Sequence, residues 1–72
     1  MNMSAGKKLS EVPFLDLVVG MEVIDYRSNI NGVITELTHE RRGKQIEGVK
    51  IVYQNKITEY GQLSAFQHVK IK

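Results

Sequence analysis

Cysteine is absent from this chain. That excludes a disulfide framework, a thiolate zinc site and thiol redox chemistry, so a hydrophobic core must hold the fold together by itself. Tryptophan is absent too, and the single proline is Pro13. Long apolar runs are missing: stretches such as Leu17-Val18-Val19 stop far short of the roughly 18 residues that a membrane-spanning helix needs. Neither sign of charge dominates. Ten Lys and Arg stand against eight Asp and Glu, a net charge of +2, which permits a nucleic-acid partner without demanding one. Seventy-two residues make one small domain and exclude a cleft between two lobes. Hydrophobic residues at 42% and charged residues at 25% are ordinary globular usage, neither disordered nor fibrous. Lys7 and Lys8 are followed by no hydrophobic block, so the start does not read as a secretion signal, and a cytoplasmic location with no membrane partner is expected.

Residues 1–12 are polar and rich in small residues, with no sustained period, and read as a flexible tail ahead of one domain over residues 13–72. Within this tail Asn2-Met3-Ser4 fits the glycosylation pattern by chance. Phe14, Leu15, Leu17, Val18 and Val19 crowd together before Gly20 and are expected to cover a core edge as an extended entry strand or a short turn. Met21 to Tyr26 is rich in β-formers and reads as the first strand. It is closed by the polar loop Arg27 to Gly32, whose Asn31-Gly32 pair is the strongest turn signal in the chain. Val33 to Thr38 is the second strand, followed by an exposed hairpin tip over His39 to Gln45. Val49, Ile51 and Tyr53 alternate with Lys50, Val52 and Gln54, which predicts a third strand with one face on the core. Asn55-Lys56 is a tight turn into Ile57 to Tyr60, and Val69 to Lys72 alternates cleanly as the last strand. Between them, a single 3₁₀ turn drops Leu63 and Phe66 into the core. Glu36 to Gln45, the best helical window, lacks apolar residues at helical spacing, so the fold class is all-β with five strands.

From Val19 to Lys72 this order of strand, loop, strand, charged tip, strand, tight turn, strand, 3₁₀ turn and strand resembles a Src-homology-3-like small barrel. Gly20-Met21-Glu22-Val23 followed by Gly32-Val33-Ile34 is similar to the opening of KOW- and Tudor-type barrels, where a glycine lets bent strands approach. The resemblance implies a strongly bent five-stranded barrel and, from the KOW modules, contact with RNA. Arg27 is the one basic residue between Asp25 and Gly32, fewer than those modules carry in this loop. Of Tyr26, Tyr53, Tyr60 and Phe66, two have core duties, and no aromatic cage for a methylated lysine is expected. The plasmid-type dihydrofolate reductases share the barrel, but Val49-Lys50-Ile51-Val52-Tyr53 does not preserve their Val-Gln-Ile-Tyr signature in either register, and that enzyme is set aside.

Arg41, Arg42 and Lys44 at a protruding tip suit phosphate contact, since cations there reach the backbone and release counterions. Their bland alternative is a solvated loop, with Glu40 and Glu47 offsetting the charge. Lys50, Lys70 and Lys72 extend a basic patch or protect strand edges from aggregation. Tyr26 and Arg27 stand at a loop where a ring can stack on a base. Glu36, His39 and Glu40 would gather as metal ligands only on a helix, Ser64 has no partners for nucleophilic work, and no glycine-rich loop precedes a helix; no cofactor and no enzyme activity are expected. The expected function is a non-catalytic module for DNA or RNA, binding weakly and with strong salt sensitivity. The alternative is a protein-interaction adaptor or small inhibitor, of the accessory or phage-like sort, with a homo-oligomer also in view because so small a core is marginal.

Overall fold

The computed structural model describes residues 6–72. Five strands form one antiparallel sheet: β1 (Glu22–Asp25), β2 (Ile30–Arg41), β3 (Lys44–Tyr53), β4 (Thr58–Gln62) and β5 (Val69–Ile71). Their spatial order is β4-β3-β2-β1-β5, so β4 and β5 are the edges and the sheet is not closed by pairing between them. No helix among the described residues is long and apolar enough to cross a membrane.

The alternation read from β3 holds. Val49, Ile51 and Tyr53 are buried, and they meet Val23, Ile34, Val69 and Ile71 on the inner face of the sheet. A second layer lies over that face, built from three short 3₁₀ turns, Leu9–Glu11, Phe14–Asp16 and Leu63–Ala65. Each follows one rule. An apolar residue starts the turn, a second apolar residue stands three positions on, and the second N–H donates to the carbonyl of the first: Val12 to Leu9, Leu17 to Phe14 and Phe66 to Leu63, all at 3.1 Å. With about three residues per turn, positions i and i+3 eclipse, so both side chains point the same way and enter the core together. All six are buried.

The turn at Leu63 was expected and a short turn after Pro13 was one of two alternatives, whereas the turn at Leu9 corrects the sequence reading. Packing does not begin at Pro13: Leu9 is wholly buried and Val12 nearly so. Just before them, the Ile71 N–H donates to the Lys7 carbonyl at 2.9 Å and the Gly6 N–H to the Ile71 carbonyl at 2.8 Å, which covers the free edge of β5. Residues 1–5 of the expected tail lie outside the described residues. The crowded segment after Pro13 also divides differently from expectation. Phe14 and Leu17 are buried, but Leu15, Val18 and Val19 face solvent.

Asn31-Gly32 is not a turn. Both residues lie in β2, opposite Ile24 and Val23, and the chain reverses at residues 26–29, where Asn29 takes a φ of 58°. Gly32 is required by packing instead: a β-carbon there would stand 2.8 Å from Tyr53 Cδ1 and 2.9 Å from Ile51 Cγ2. The charged tip is also tighter than the sequence suggests. β2 runs on through His39 and Glu40 to Arg41, and the reversal is made by Arg42 and Gly43 alone, with φ of 53° and 77°. Two successive positive φ values make the two-residue turn that matches strand twist. Register shifts after Ile34 and after Thr38 mark bulges that bend the long β2–β3 ribbon.

Candidate nucleic-acid interface

The pleat decides which residues share the outer face. Because Val49, Ile51 and Tyr53 point inward, Gly48, Lys50 and Val52 point outward. Antiparallel pairing then sets Gln62 beside Gly48, Tyr60 beside Lys50 and Thr58 beside Val52 on β4, with Val33 beside Val52 on β2. Tyr60 is thus an aromatic on the outer surface, 47% exposed. Its ring extends along the sheet over Gly48, since a β-carbon on Gly48 would lie 2.8 Å from the Tyr60 hydroxyl. Only a glycine leaves that space. The ring therefore reaches toward the tip, where Arg41, Ile46, Gly48, Gly61 and Gln62 join Tyr60 around a shallow groove of about 190 Å³.

Arg41 pairs with Lys44 across the last rung of the β2–β3 ladder, with Arg42 at the turn, and all three are exposed. The ion pairs among the described residues are Arg27 with Asp25 and Lys50 with Glu36, and the His68 ring contacts Glu59, so none engages the tip cations. Lys50 reaches Glu36 only at 3.9 Å, with both side chains substantially exposed. Such a pair is worth little and opens readily to a phosphate.

Tyr26 and Arg27 belong elsewhere. They follow β1 at the opposite end of β2 from Arg41, some eleven steps of about 3.3 Å along the strand. The two clusters named from the sequence do not form one patch. Tyr26 is tied locally: its hydroxyl donates to the Gln67 carbonyl at 2.8 Å, and the Lys70 ammonium stands 4.7 Å from its ring centre. Arg27 bends back toward Asp25 at 3.7 Å. Beside them lies a groove of about 360 Å³ between the β1–β2 and β3–β4 turns, whose lining includes Asp25, Tyr53, Glu59 and His68. Its charged groups satisfy one another. The Tyr53 hydroxyl donates to Glu59 at 2.7 Å, and both Glu59 oxygens lie within 3.0 Å of His68 Nε2. Burial pushes the Tyr53 phenol well above its ordinary value, and the hydrogen bond to Glu59 and the charge of that carboxylate add to the rise. At Asp25 burial opposes ionisation, but the backbone N–H groups of Arg27 and Ser28 and the Arg27 charge together outweigh it and hold the carboxyl below its usual value. The Tyr53–Glu59–His68 bonds join β3, β4 and the residue just before β5, while Asp25 is satisfied locally by Arg27 and Ser28.

The remaining sequence candidates scatter. His39 stacks on Phe14 with ring centres 5.8 Å apart, while Glu36 faces Lys50. Among the described residues no three His, Cys, Asp or Glu side chains gather as metal ligands would. Sequence reasoning passed over Tyr60 as a surface residue. The signal was present, because Tyr60 has the parity of Thr58 and Gln62 and so opposes the outward face of β3. Comparison of the chain with models of protein families, with curated proteins and with solved structures finds no match.

Proposed function

We propose that this protein is a non-catalytic module that binds single-stranded nucleic acid across the outer face of β2, β3 and β4. The observation that carries the reading is that Arg41 and Tyr60 line one groove, with Lys50 directly across from Tyr60. An exposed ring between cations offers a stacking platform for a base and charge for the phosphates on either side of it. A base must be unpaired to lie on the ring, hence the preference for a single strand. Arg42 and Lys44 extend the phosphate track over the tip, whereas Tyr26 and Arg27 fall outside it. Glu40 and Glu47 flank the track and keep affinity modest and sensitive to salt. The order of elements, the bulged long ribbon and the 3₁₀ turn before β5 support placing the module among small Src-homology-3-like barrels.

Fluorescence anisotropy with labelled single- and double-stranded DNA and RNA at two salt concentrations tests this. Binding is expected to favour single strands, and Arg41→Ala with Arg42→Ala to lower the salt slope by about 1.4, or about 0.7 per phosphate contact. Tyr60→Ala is expected to weaken binding by about 1–3 kcal/mol with the slope unchanged. Absence of saturable binding at low salt and high micromolar protein would sink the reading. A protein-interaction adaptor then becomes the better account, and the exposure of Leu15, Val18 and Val19 on one short segment favours it over a purely solvated surface.

A further inference from the structure

The two edges of the sheet are not alike. The β5 edge is covered by its own chain, since Ile71 bonds through its backbone to Gly6 and Lys7, and Lys8 bridges to Lys70. Among the described residues no backbone group bonds to β4 from its outer side. The phase of the hydrogen bonds shows which groups β4 leaves open. The Tyr53 N–H donates to the Ile57 carbonyl and the Gln54 N–H to the Asn31 carbonyl, both at 2.9 Å, so alternate residues of β3 bond toward β4 and toward β2. Ile51 and Val49 share the phase of Tyr53, and their partners Glu59 and Gly61 use their backbone groups on β3. Thr58, Tyr60 and Gln62 therefore turn theirs outward. Side chains leave this edge clear. The Tyr60 ring lies over Gly48, and the Gln62 amide oxygen accepts from the Glu47 N–H at 3.3 Å, so both lean back over β3. Between Thr58 and Gln62 the edge carries no proline, no lysine and no bulge against β3, the usual guards of an open strand. Its one charge, Glu59, is held by Tyr53 and His68.

We propose that β4 is a self-association edge, on which a second copy of this chain pairs antiparallel about Tyr60 and joins the two sheets into one. The proposal goes beyond the nucleic-acid reading and does not depend on it. Self-complementarity is what selects a second copy. With a two-fold axis at Tyr60, each Tyr60 N–H donates to the Tyr60 carbonyl across the seam, and each Gln62 N–H to the carbonyl of the opposing Thr58. The side chains agree with this register. Tyr60 meets Tyr60 with both rings turned back over β3, Thr58 meets Gln62, and Glu59 meets Gly61, so no like charges face each other. The same register carries Ile57, 59% exposed, toward the second copy's Leu63–Ala65 turn, where it gains apolar cover. Because β5 is covered, β4 has no opposite edge to pair with head to tail, and the assembly closes at two chains. So short a seam buries less than about 1,200 Å², the range of weak association.

Sedimentation equilibrium tests the assembly, and engineered disulfides report its register, because the chain has no cysteine of its own. The unaltered protein is expected to pass from one chain mass to two as its concentration rises into the high micromolar range. Thr58→Pro removes an N–H that β3 does not use and is expected to abolish the dimer while leaving the far-UV circular dichroism unchanged. Under mild oxidation Tyr60→Cys is expected to crosslink with itself, and Thr58→Cys only with Gln62→Cys, since paired Cα atoms about 5.5 Å apart can be bridged. A chain that stays monomeric to high micromolar concentration overturns the proposal. So does a dimer that persists in a folded Thr58→Pro, or one lost instead in Leu15→Ser with Val18→Ser, which moves the contact to that exposed apolar segment. If the proline variant fails to fold, the crosslinks decide, and any pairing other than Tyr60 with itself and Thr58 with Gln62 overturns the register. No arm contains nucleic acid, so this proposal and the single-strand reading fail separately.

Discussion

Leu9→Ala separates a packed N-terminal segment from a loose tail more sharply than any other single change. Leu9 is wholly buried in the cluster that contains Val12, Leu63, Phe66 and Ile71. Truncation to alanine removes buried carbon atoms and leaves a space that the 3₁₀ turn, held by its bond from Val12, cannot readily close. Loss of transfer energy together with the cavity costs about 2–5 kcal/mol for such a leucine. A single core of this size rarely supplies more than about 3–5 kcal/mol in all, so the variant should stand near the edge of unfolding at 25 °C. Urea unfolding followed by circular dichroism measures this directly. With a slope of about 1 kcal/mol per molar, at the low end for small domains, the midpoint should fall by about 2 M or more. Leu15→Ala is the matched control: the same chemistry at a side chain 82% exposed, with an expected change within about 0.5 kcal/mol. Equal and small effects at the two positions would refute the packing argument and restore the tail.

Gly32→Ala should destabilise by about 1–3 kcal/mol in the same urea assay, because the new β-carbon meets the Tyr53 ring and the Ile51 methyl below 3.0 Å and forces the packed side chains or the strands to shift; a loss under about 0.5 kcal/mol would show that they give way freely. Asp25 titrates below its ordinary value of 3.8 in the folded chain. A lowered folded value means that ionised Asp25 stabilises the fold above the unfolded pKa and that this stabilisation disappears as pH falls through the folded one. The stability gap between the unaltered protein and Asp25→Asn should therefore be full at pH 6 and shrink below pH 4, and a gap constant from pH 6 to pH 2.5 would rule out the carboxylate as its source.

Much of this fold is legible in particular residues. Val49, Ile51 and Tyr53 alternate with a period of two, and only a strand places such a set on one face, so β3 and its buried side follow directly from the chain. Leu63 and Phe66 mark their 3₁₀ turn by spacing alone. The same spacing at Leu9 and Val12, and at Phe14 and Leu17, carries the same message, but polar neighbours hid the first pair and the apolar neighbours Leu15, Val18 and Val19 obscured the second. A single turn is too short for composition to reveal it. For the interface, Arg41, Arg42 and Lys44 were readable as a cationic tip, whereas the partners of Tyr60 were not. That residue acquires Lys50 and Arg41 as neighbours only through the β3–β4 register.

Asn31-Gly32 shows where local information ends. The pair has the strongest turn propensity in the chain, yet it lies in a strand because the Tyr53 ring requires a glycine against it. The ring comes from a position 21 residues further along. Sequence by itself determined the all-β class, the inward face of β3, the last 3₁₀ turn and the charge of the tip, because each depends on neighbours a few positions apart. Tertiary structure alone decided that residues 6–12 complete the core and the β5 edge, that Tyr26 and Arg41 stand at opposite ends of β2, and that Tyr60 joins the tip cations. Those outcomes rest on pairing and close approach between distant segments, where sterics and strand register override local preference.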